Sequence, residues 1–507
     1  KALGYSKARI TSKYLIYAIV ASGVGAIIGI VALSKFLPWF IMGAYAIIYA
    51  VPCRPCPIDP AMTAAAAGLG VGITVIATWF AAASTLRERP AFLMLPRAPK
   101  AGKRILLERI RPVWRRLSFS WKVTSRNLFR YKRRFIMAIV GIAGCTALLL
   151  TGLGLQNAIN DIIDKQYGEL YHYNTIVRMD SDCTTDEKFQ VEQRVEEDAS
   201  GDFAWLATAN KQAQSVTDDG ADISQHRIDI IVPEHPDTFS DFNTMRIREG
   251  HEELVLSDDG VLVSEKLAME LSLTVGSTFS IFDEDAVGDA TGDGREVTVA
   301  GIMENYVGHY VYFTPTLYEQ VMGEEPVFTT LYANEVEDEG AREVLSDELL
   351  ATDGVKTVTY NDETIDSYRT MLKSVDSVVV VLVIAAALLA FVVLYNLTNI
   401  NITERVREIA TLKVLGFTPR EVDAYIYRET LLLAVIGALV GLLIGIVMEG
   451  FVVVTAEVDQ VMFGRDIHAA SFIIAFLLTM VFSVIVTLAM RPKLRRIDMV
   501  ESLKSNE

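Results

Sequence analysis

Two cysteines and one histidine have residue types and spacing that could support chemistry. Cys53 and Cys56 form an isolated C-x-x-C that could close a local disulfide, supply half of a metal site, or do neither. No second C-x-x-C or histidine pair accompanies it, which disfavours a zinc site. His309 lies among aromatic residues in "YVGHYVYF", and the other five histidines do not cluster with it in sequence. We therefore expect a packed or surface strand histidine, and no metal site.

An acidic stretch, "DEDAVGDATGDGRE" (Asp283 to Glu296), has some features of a calcium loop. An EF-hand that began at Asp289 would place Thr291 at its third position and Ala300 at its twelfth, where a bidentate Glu belongs. This poor fit favours a solvated hairpin turn over a calcium site.

Catalytic motifs are equally sparse. The chain contains no G-x-x-x-x-G-K-[ST] phosphate-binding loop and no Ser/His/Asp arrangement in a recognisable context. We therefore expect no enzymatic activity and no cofactor in this chain.

Composition indicates a membrane protein with a large acidic soluble part. Of the 507 residues, 51% are hydrophobic, yet the net charge is -16. Residues 87–134 hold 16 Lys/Arg and two acids, whereas residues 160–372 hold 47 Asp/Glu and 13 Lys/Arg. The positive-inside rule places the basic stretch in the cytoplasm and the acidic stretch outside. Such acidity also disfavours nucleic acid as a partner.

Six segments are long and apolar enough to cross a bilayer. They are residues 14–33, 62–84, 135–156, 375–397, 430–448 and 470–490, all approximate. The short apolar stretch from Pro38 to Pro52 is interpreted as an interfacial or re-entrant piece. The predicted fold is thus an α-helical membrane protein with six transmembrane helices and an α+β extracytoplasmic domain.

The predicted extracytoplasmic domain covers residues 157–374. Two strand-helix-strand patterns, in residues 173–216 and 326–362, bracket an insertion and suggest a split ferredoxin-like module. The insertion, at about 235–325, contains short strands punctuated by glycines and is expected to form a small β-rich subdomain.

The start of the chain repeats an internal segment. "KALGYSKARI" matches "KVLGFTPREV" (Lys413 to Val422), and "VGAIIGIV" matches "VGLLIGIV" (Val440 to Val447). Small residues recur four apart in both copies, a spacing that favours close helix packing between the halves or within one subunit. They are Ala21, Gly25 and Gly29 in the first copy, and Gly437, Gly441 and Gly445 in the second.

Five parts follow from this repeat and the spans. They are the end of a first unit with two spans (1–95), a basic cytoplasmic linker (96–117), an amphipathic helix and span (118–156), the extracytoplasmic domain (157–374), and a part with three spans, a cytoplasmic segment at 398–429 and a cytoplasmic tail (375–507). The first unit lacks counterparts of residues 118–412, so we expect further sequence before Lys1.

The segment "ERVREIATLKVLGFTPREVDAYIYRET" (Glu404 to Thr430) closely resembles the cytoplasmic segment of FtsX-like and MacB-type ABC transporter permeases. In that family a short charged helix, roughly R-E-I-x-x-L-K-x-L-G, docks on the ATPase subunit. The matching residues are Arg407, Glu408, Ile409, Leu412, Lys413, Leu415 and Gly416, with Lys1, Leu3 and Gly4 in the partial copy. The leading sequence "SWKVTSRNLFRYKRRFIMAIVGIAG" also resembles the family, although a basic anchor on anionic lipid would explain it as well.

The resemblance implies a plasma-membrane permease, in bacteria, with its large domain outside. ATP and Mg²⁺ would bind a separate ABC ATPase, in two copies, and membrane lipid and an extracytoplasmic protein or peptide would be further partners. The leading hypothesis is mechanotransmission, in which ATP hydrolysis drives work on a peptide, lipid, lipoprotein or cell-wall partner. The alternatives are an exporter of a small lipophilic compound or peptide, and a membrane-anchored sensor or scaffold.

Overall fold

The structure is a computed structural model that describes residues 5–48, 58–87, 115, 122, 126, 132–216, 223–284, 290–335, 339–404, 406–457 and 459–495. Its helices are α1 (Lys7–Ile48), α2 (Pro60–Arg87), α3 (Lys132–Lys165), α4 (Thr185–Asp198), α5 (Glu265–Glu270), α6 (Pro315–Met322), α7 (Glu339–Leu350), α8 (Asn361–Glu404), α9 (Val406–Val414), α10 (Pro419–Ala456) and α11 (Ala469–Arg495). Its strands are β1 (Thr175–Met179), β2 (Ala199–Val216), β3 (Ile223–Pro233), β4 (Val261–Ser264), β5 (Thr278–Glu284), β6 (Ala290–Met303), β7 (Tyr310–Tyr312), β8 (Thr330–Glu335) and β9 (Val355–Tyr360).

Six helices in the described part of the chain are long and apolar enough to cross a membrane, as predicted. The qualifying segments are Lys7–Phe36, Pro60–Ser84, Phe135–Leu170, Val383–Ile400, Glu421–Ala456 and Ala469–Pro492. The described part of the stretch from Pro38 to Pro52 follows the first of these segments and belongs to the same helix. Helix α1 continues through Pro38 to Ile48, because a proline within a helix removes one hydrogen bond without necessarily ending it.

The chain divides into two compact units. Unit 1 comprises Lys1–Ile142, Ser374–Gly437 and Met480–Glu507, and unit 2 comprises Ala143–Lys373 and Ala438–Thr479. Unit 2 contains all nine strands, and unit 1 contains the cytoplasmic segment singled out by the sequence.

Four strands of unit 2 form the predicted ferredoxin-like module. Their order is β2-β8-β1-β9, and each neighbouring pair is antiparallel. Helix α4 connects β1 to β2, and α7 connects β8 to β9, as a split β-α-β arrangement requires. Val191 and Val195 of α4 and Leu345 and Leu349 of α7 share one buried apolar cluster with this sheet.

The insertion at about 235–325 is β-rich and supplies the strands β4 to β7. Its strands continue the same sheet, because β2 is 18 residues long and serves two groups of strands. The first part of β2 pairs with β8 (Ala204↔Tyr332), and its second part pairs with β5 (Ala213↔Ile281). The pairings β2-β3-β7-β4-β6-β5-β2 close a ring of six strands.

The interior of this ring is filled by every second residue of its strands, because successive side chains of a strand point to opposite faces of the sheet. They include Ala213, Ile228, Ile230, Val261, Val263, Phe279, Ile281, Val297, Val299 and Val311.

The acidic stretch lies in the predicted hairpin between β5 and β6, although residues 285–289 fall outside the described residues. The Asp283 carboxylate accepts hydrogen bonds from Lys211 and Arg295, which lower its pKa. Asp283 therefore already has two cationic partners within the protein.

Candidate functional site

Helix α9 holds the residues that resemble the coupling motif. It is nine residues long and lies between the end of α8 at Glu404 and the start of α10 at Pro419. The described part of this segment lies outside the candidate membrane spans Val383–Ile400 and Glu421–Ala456. Helix α9 is therefore an element of its own between two spans.

One face of α9 is anchored in the core of unit 1. Ile409 and Ala410 are buried, and Leu412 packs at the edge of the same region. Helical spacing puts apolar residues three and four apart on one face, which explains why this short helix is amphipathic. Its partners come from the neighbouring helices and are Ile142, Leu394, Ile402, Val422, Val486 and Met490.

Gly416 ends α9 in a left-handed conformation. Its φ is 89°, in the region that favours glycine. The Phe417 N–H donates to the Leu412 carbonyl at 3.2 Å, and the Gly416 N–H donates to the Lys413 carbonyl at 3.1 Å. These two bonds form a Schellman motif, which satisfies carbonyls at the helix end. Gly416 therefore acts through backbone geometry, since it has no side chain to offer a partner.

The next helix, α10, begins at Pro419, and Thr418 and Glu421 cap it by hydrogen bonds to each other. The Thr418 N–H donates to the Glu421 carboxylate at 2.8 Å, and the Glu421 N–H donates to Thr418 Oγ1 at 3.4 Å. Pro419 occupies the first helical position, where its missing N–H costs nothing. The turn from α9 into α10 is thus fixed by hydrogen bonds on both sides.

This turn presents three apolar side chains to the surroundings. Val414 is 59% exposed, Leu415 69% and Phe417 47%. We call residues 414–417 the coupling tip. Adjacent exposed apolar residues on a fixed turn are typical of a surface that a partner covers.

An ion pair fixes the start of α10 to the end of α11. Arg491 Nε donates to the buried Asp423 carboxylate at 2.9 Å. The sequence analysis missed this pair because its members are 68 residues apart. It also missed Val414 and Phe417, which stand next to motif residues and are exposed like Leu415.

The other predicted coupling residues can be placed only in part. Arg407 and Glu408 lie in α9, but their side chains are outside the described part of the structure, and Lys413 is half-buried. The remaining predictions fall outside the described residues, and they concern Lys1, Leu3, Gly4, Cys53 and Cys56.

The small residues of the second repeat copy lie against α3. A Cβ at Gly437 would come 2.7 Å from Ile142 Cβ, and one at Gly441 would come 2.6 Å from the Ala143 carbonyl oxygen. Gly445 is equally tight, with Leu150 Cδ2 at 2.9 Å from its built Cβ. This is helix packing within the chain, one of the two arrangements that the spacing allowed.

The small residues of the first copy have different surroundings. Nothing described lies within 4 Å of a Cβ built at Gly25 or Gly29, and Ala21 is exposed. The same sequence pattern therefore packs in one copy and faces open space in the other, among the residues that the structure describes.

Comparison with known proteins assigns the family. The model of the FtsX-like permease C-terminal domain matches residues 1–90 and 380–499, and that of the MacB-like periplasmic core domain matches residues 137–352. The two models together cover most of the chain and define an ABC transporter permease. The chain belongs to the FtsX/MacB-type permeases, multi-pass proteins of the plasma membrane with a large domain outside. This class implies an ABC ATPase as its partner.

Two solved structures are similar to part of this chain. The extracellular domain of the noncanonic ABC-type transporter YknZ from Gram-positive bacteria is 13% identical, with a TM-score of 0.23, covering 37% of this chain and 99% of its own. The periplasmic region of MacB from Actinobacillus actinomycetemcomitans is 9% identical, with a TM-score of 0.25, covering 41% and 97%. The family assignment rests on the two family models, not on these scores. No curated protein matches the chain.

Proposed function

We propose that this permease transmits movements of a separate, ATP-driven ABC ATPase to work outside the membrane, on a peptide, lipid, lipoprotein or cell-wall partner. The observation that carries the proposal is the coupling tip, residues 414–417. It combines exposed apolar side chains with a backbone fixed by the Schellman motif and the Thr418–Glu421 cap.

A docking element of this kind needs both an adhesive surface and rigidity. The exposed side chains of Leu415 and Phe417 could enter an apolar depression on the ATPase, and burial of such groups supplies most of the affinity of a protein interface. Rigidity matters because a force applied to a flexible loop would be lost in bending that loop. The buried face of α9, with Ile409 and Ala410 at its centre, links the tip to the surrounding helices.

Two long helices lead away from this segment. Helix α8 begins directly after the last strand, β9, and ends at Glu404, two residues before the start of α9, while α10 runs from the Thr418 cap to Ala456. At 1.5 Å per residue, the 44 residues of α8 measure about 66 Å, longer than the roughly 30 Å of bilayer hydrocarbon. A continuous helix of this length supports transmission along the helix axis.

ATP and Mg²⁺ would bind the ATPase subunits, of which we propose two copies. The partial repeat around Lys1 to Gly4 would provide the second docking point. Membrane lipid would surround the six apolar helices.

The docking step is tested by placing a charge on the tip. We expect Leu415→Asp combined with Phe417→Ser to weaken association with the cognate ATPase at least about tenfold, because a buried unpaired carboxylate opposes docking. Copurification in mild detergent and permease-stimulated ATP hydrolysis are the two measurements. Val275→Asp is the matched control, since Val275 is 65% exposed and lies in unit 2. Unchanged association of the double variant would show that the tip is not the docking surface.

The transmission step needs a separate measurement. In the complete complex, we expect ATP to change amide hydrogen exchange in the ectodomain, and we expect the double variant to abolish that change. If the ATPase remained associated while ATP left exchange throughout residues 157–374 unaltered, mechanotransmission would be contradicted even though docking was correct.

A further inference from the structure

The loop between α10 and α11 contacts a turn of the ectodomain within unit 2. The Gly308 N–H donates to the Gln460 carbonyl at 2.8 Å, and the Met462 N–H donates to the Tyr306 carbonyl at 2.9 Å. Val307 and Val461 form an antiparallel bridge between these bonds. The loop is therefore held in register against the turn that precedes β7.

This contact brings together two imidazoles and one carboxylate. His226 lies on β3, His309 on the turn before β7, and Asp459 on the loop after α10. His226 Nδ1 is 2.8 Å from Asp459 Oδ1, and His309 Nε2 is 3.6 Å from the same oxygen. One ligand atom from each of the three residues lies within 4.8 Å of the others.

His309 has an unusual environment for a polar side chain. Its imidazole is 0% exposed, and neither ring nitrogen has a hydrogen-bond partner within the part of the chain that the structure describes. Leaving buried polar atoms unpaired is unfavourable, so such groups commonly have a role.

The backbone holds His309 in place. The Asp229 N–H donates to the His309 carbonyl at 2.8 Å, and Asn305 Nδ2 donates to the Val307 and Gly308 carbonyls. Gly308 has a φ of 84°, and a Cβ there would come 2.7 Å from the Tyr310 ring. The turn that carries His309 is therefore rigid, as a binding site requires.

We propose that His226, His309 and Asp459 form a binding site for a divalent transition-metal ion of the zinc type. Two imidazoles and one carboxylate suit this class of ion, and a fourth position remains for water. In a tetrahedral site with bonds of about 2.0–2.1 Å, ligand atoms lie about 3.3 Å apart, so only small side-chain rotations are required. Asp459 is 60% exposed, which gives the ion a path from solvent.

Two neighbouring carboxylates among the described residues already have cationic partners. Glu457 already has cationic partners in Lys266 and Arg465, at 3.2 and 2.7 Å. Glu270 interacts electrostatically with His309, and its carboxylate also forms an ion pair with Lys266 at 2.8 Å. The bound ion would add coordinate bonds to the backbone contacts that hold the loop on the turn, and the site does not depend on the proposed ATPase coupling.

The test is metal binding by the full chain in detergent. The protein carries no histidine tag, and Cys53→Ser with Cys56→Ser removes the C-x-x-C as a competing ligand. After chelator treatment, Co²⁺ and then Zn²⁺ are titrated, with visible absorption and metal content as readouts. We expect one ion per chain, with the absorption of low-coordinate Co²⁺, and a higher melting temperature with Zn²⁺.

Variants assign the ligands. We expect His309→Ala or Asp459→Asn to weaken binding at least about tenfold. His235→Ala and Asp237→Asn are matched controls, because both residues are exposed in the same domain, and they should bind like the parent. Because Asp459 is exposed, its variant should fold even if the His309 variant does not. No stoichiometric binding by the parent, or equal affinity in Asp459→Asn and Asp237→Asn, would overturn the proposal.

Discussion

At the residue scale, Gly416 is the most restrictive position of the coupling tip. We expect Gly416→Ala to strain the turn by about 1–2 kcal/mol, because an L-residue there must adopt a φ near 89°. The displaced tip should lower permease-stimulated ATP hydrolysis severalfold. Gly416→Asn should lower it less, since asparagine tolerates the left-handed region better.

The control for this substitution is Gly144→Ala, since a Cβ built at that helical glycine meets nothing within 4 Å. It should leave stimulated hydrolysis at the parental rate. Equal rates for Gly416→Ala and Gly144→Ala would mean that the ATPase does not require this turn.

Individual residues differ in how far their roles can be predicted. Gly416 follows from the stop signal after an amphipathic pattern, and Ile409 follows from helical spacing, because both depend on local sequence. Asp423–Arg491 and the His226, His309 and Asp459 group do not, because each unites residues far apart in the chain. Only the folded backbone brings such residues together.

At the element scale, the two small-residue stripes allow a paired experiment. Gly441→Ala should destabilise the protein by about 1–3 kcal/mol, because its Cβ would come 2.6 Å from the Ala143 carbonyl oxygen and the helices must separate. Gly25→Ala should be neutral or slightly stabilising, since its Cβ meets no described atom and alanine favours helix. Thermal unfolding of the full chain in one detergent compares them.

The opposite ranking would be informative. If Gly25→Ala lowered the melting temperature more than Gly441→Ala did, the protein would depend less on the close contact of α10 with α3 at Gly441 than on the surroundings of Gly25. That result would contradict the prediction.

The strands show what sequence can determine about elements. Their positions were predictable because alternating apolar residues have a period of two, and the ferredoxin-like order follows from two strand-helix-strand patterns. The ring of six strands was not predictable. It depends on β2 changing partners near its middle, from β8 to β5, and that change is a matter of register between distant segments.

At the scale of the whole molecule, charge is strongly segregated. Residues 160–372 carry 47 acids and 13 Lys/Arg, whereas the net charge of the whole chain is -16. Composition alone predicted which parts lie inside and outside, because the positive-inside rule depends on charge counts rather than on contacts. The same segregation makes the acidic domain repel itself electrostatically, which destabilises its folded state, although the charge also keeps the domain soluble.

This self-repulsion predicts how stability depends on salt. From 0.01 to 0.15 M salt, the Debye length falls from about 30 to about 8 Å, so we expect the melting temperature of the full chain in non-ionic detergent to rise by a few degrees. Glu252→Gln with Glu253→Gln, which removes two exposed acids, should make the rise smaller. Lys356→Gln, which removes an exposed cation 3.1 Å from Asp180, should make it larger. Equal salt dependence in both variants would contradict self-repulsion of the acidic domain as the cause of the rise.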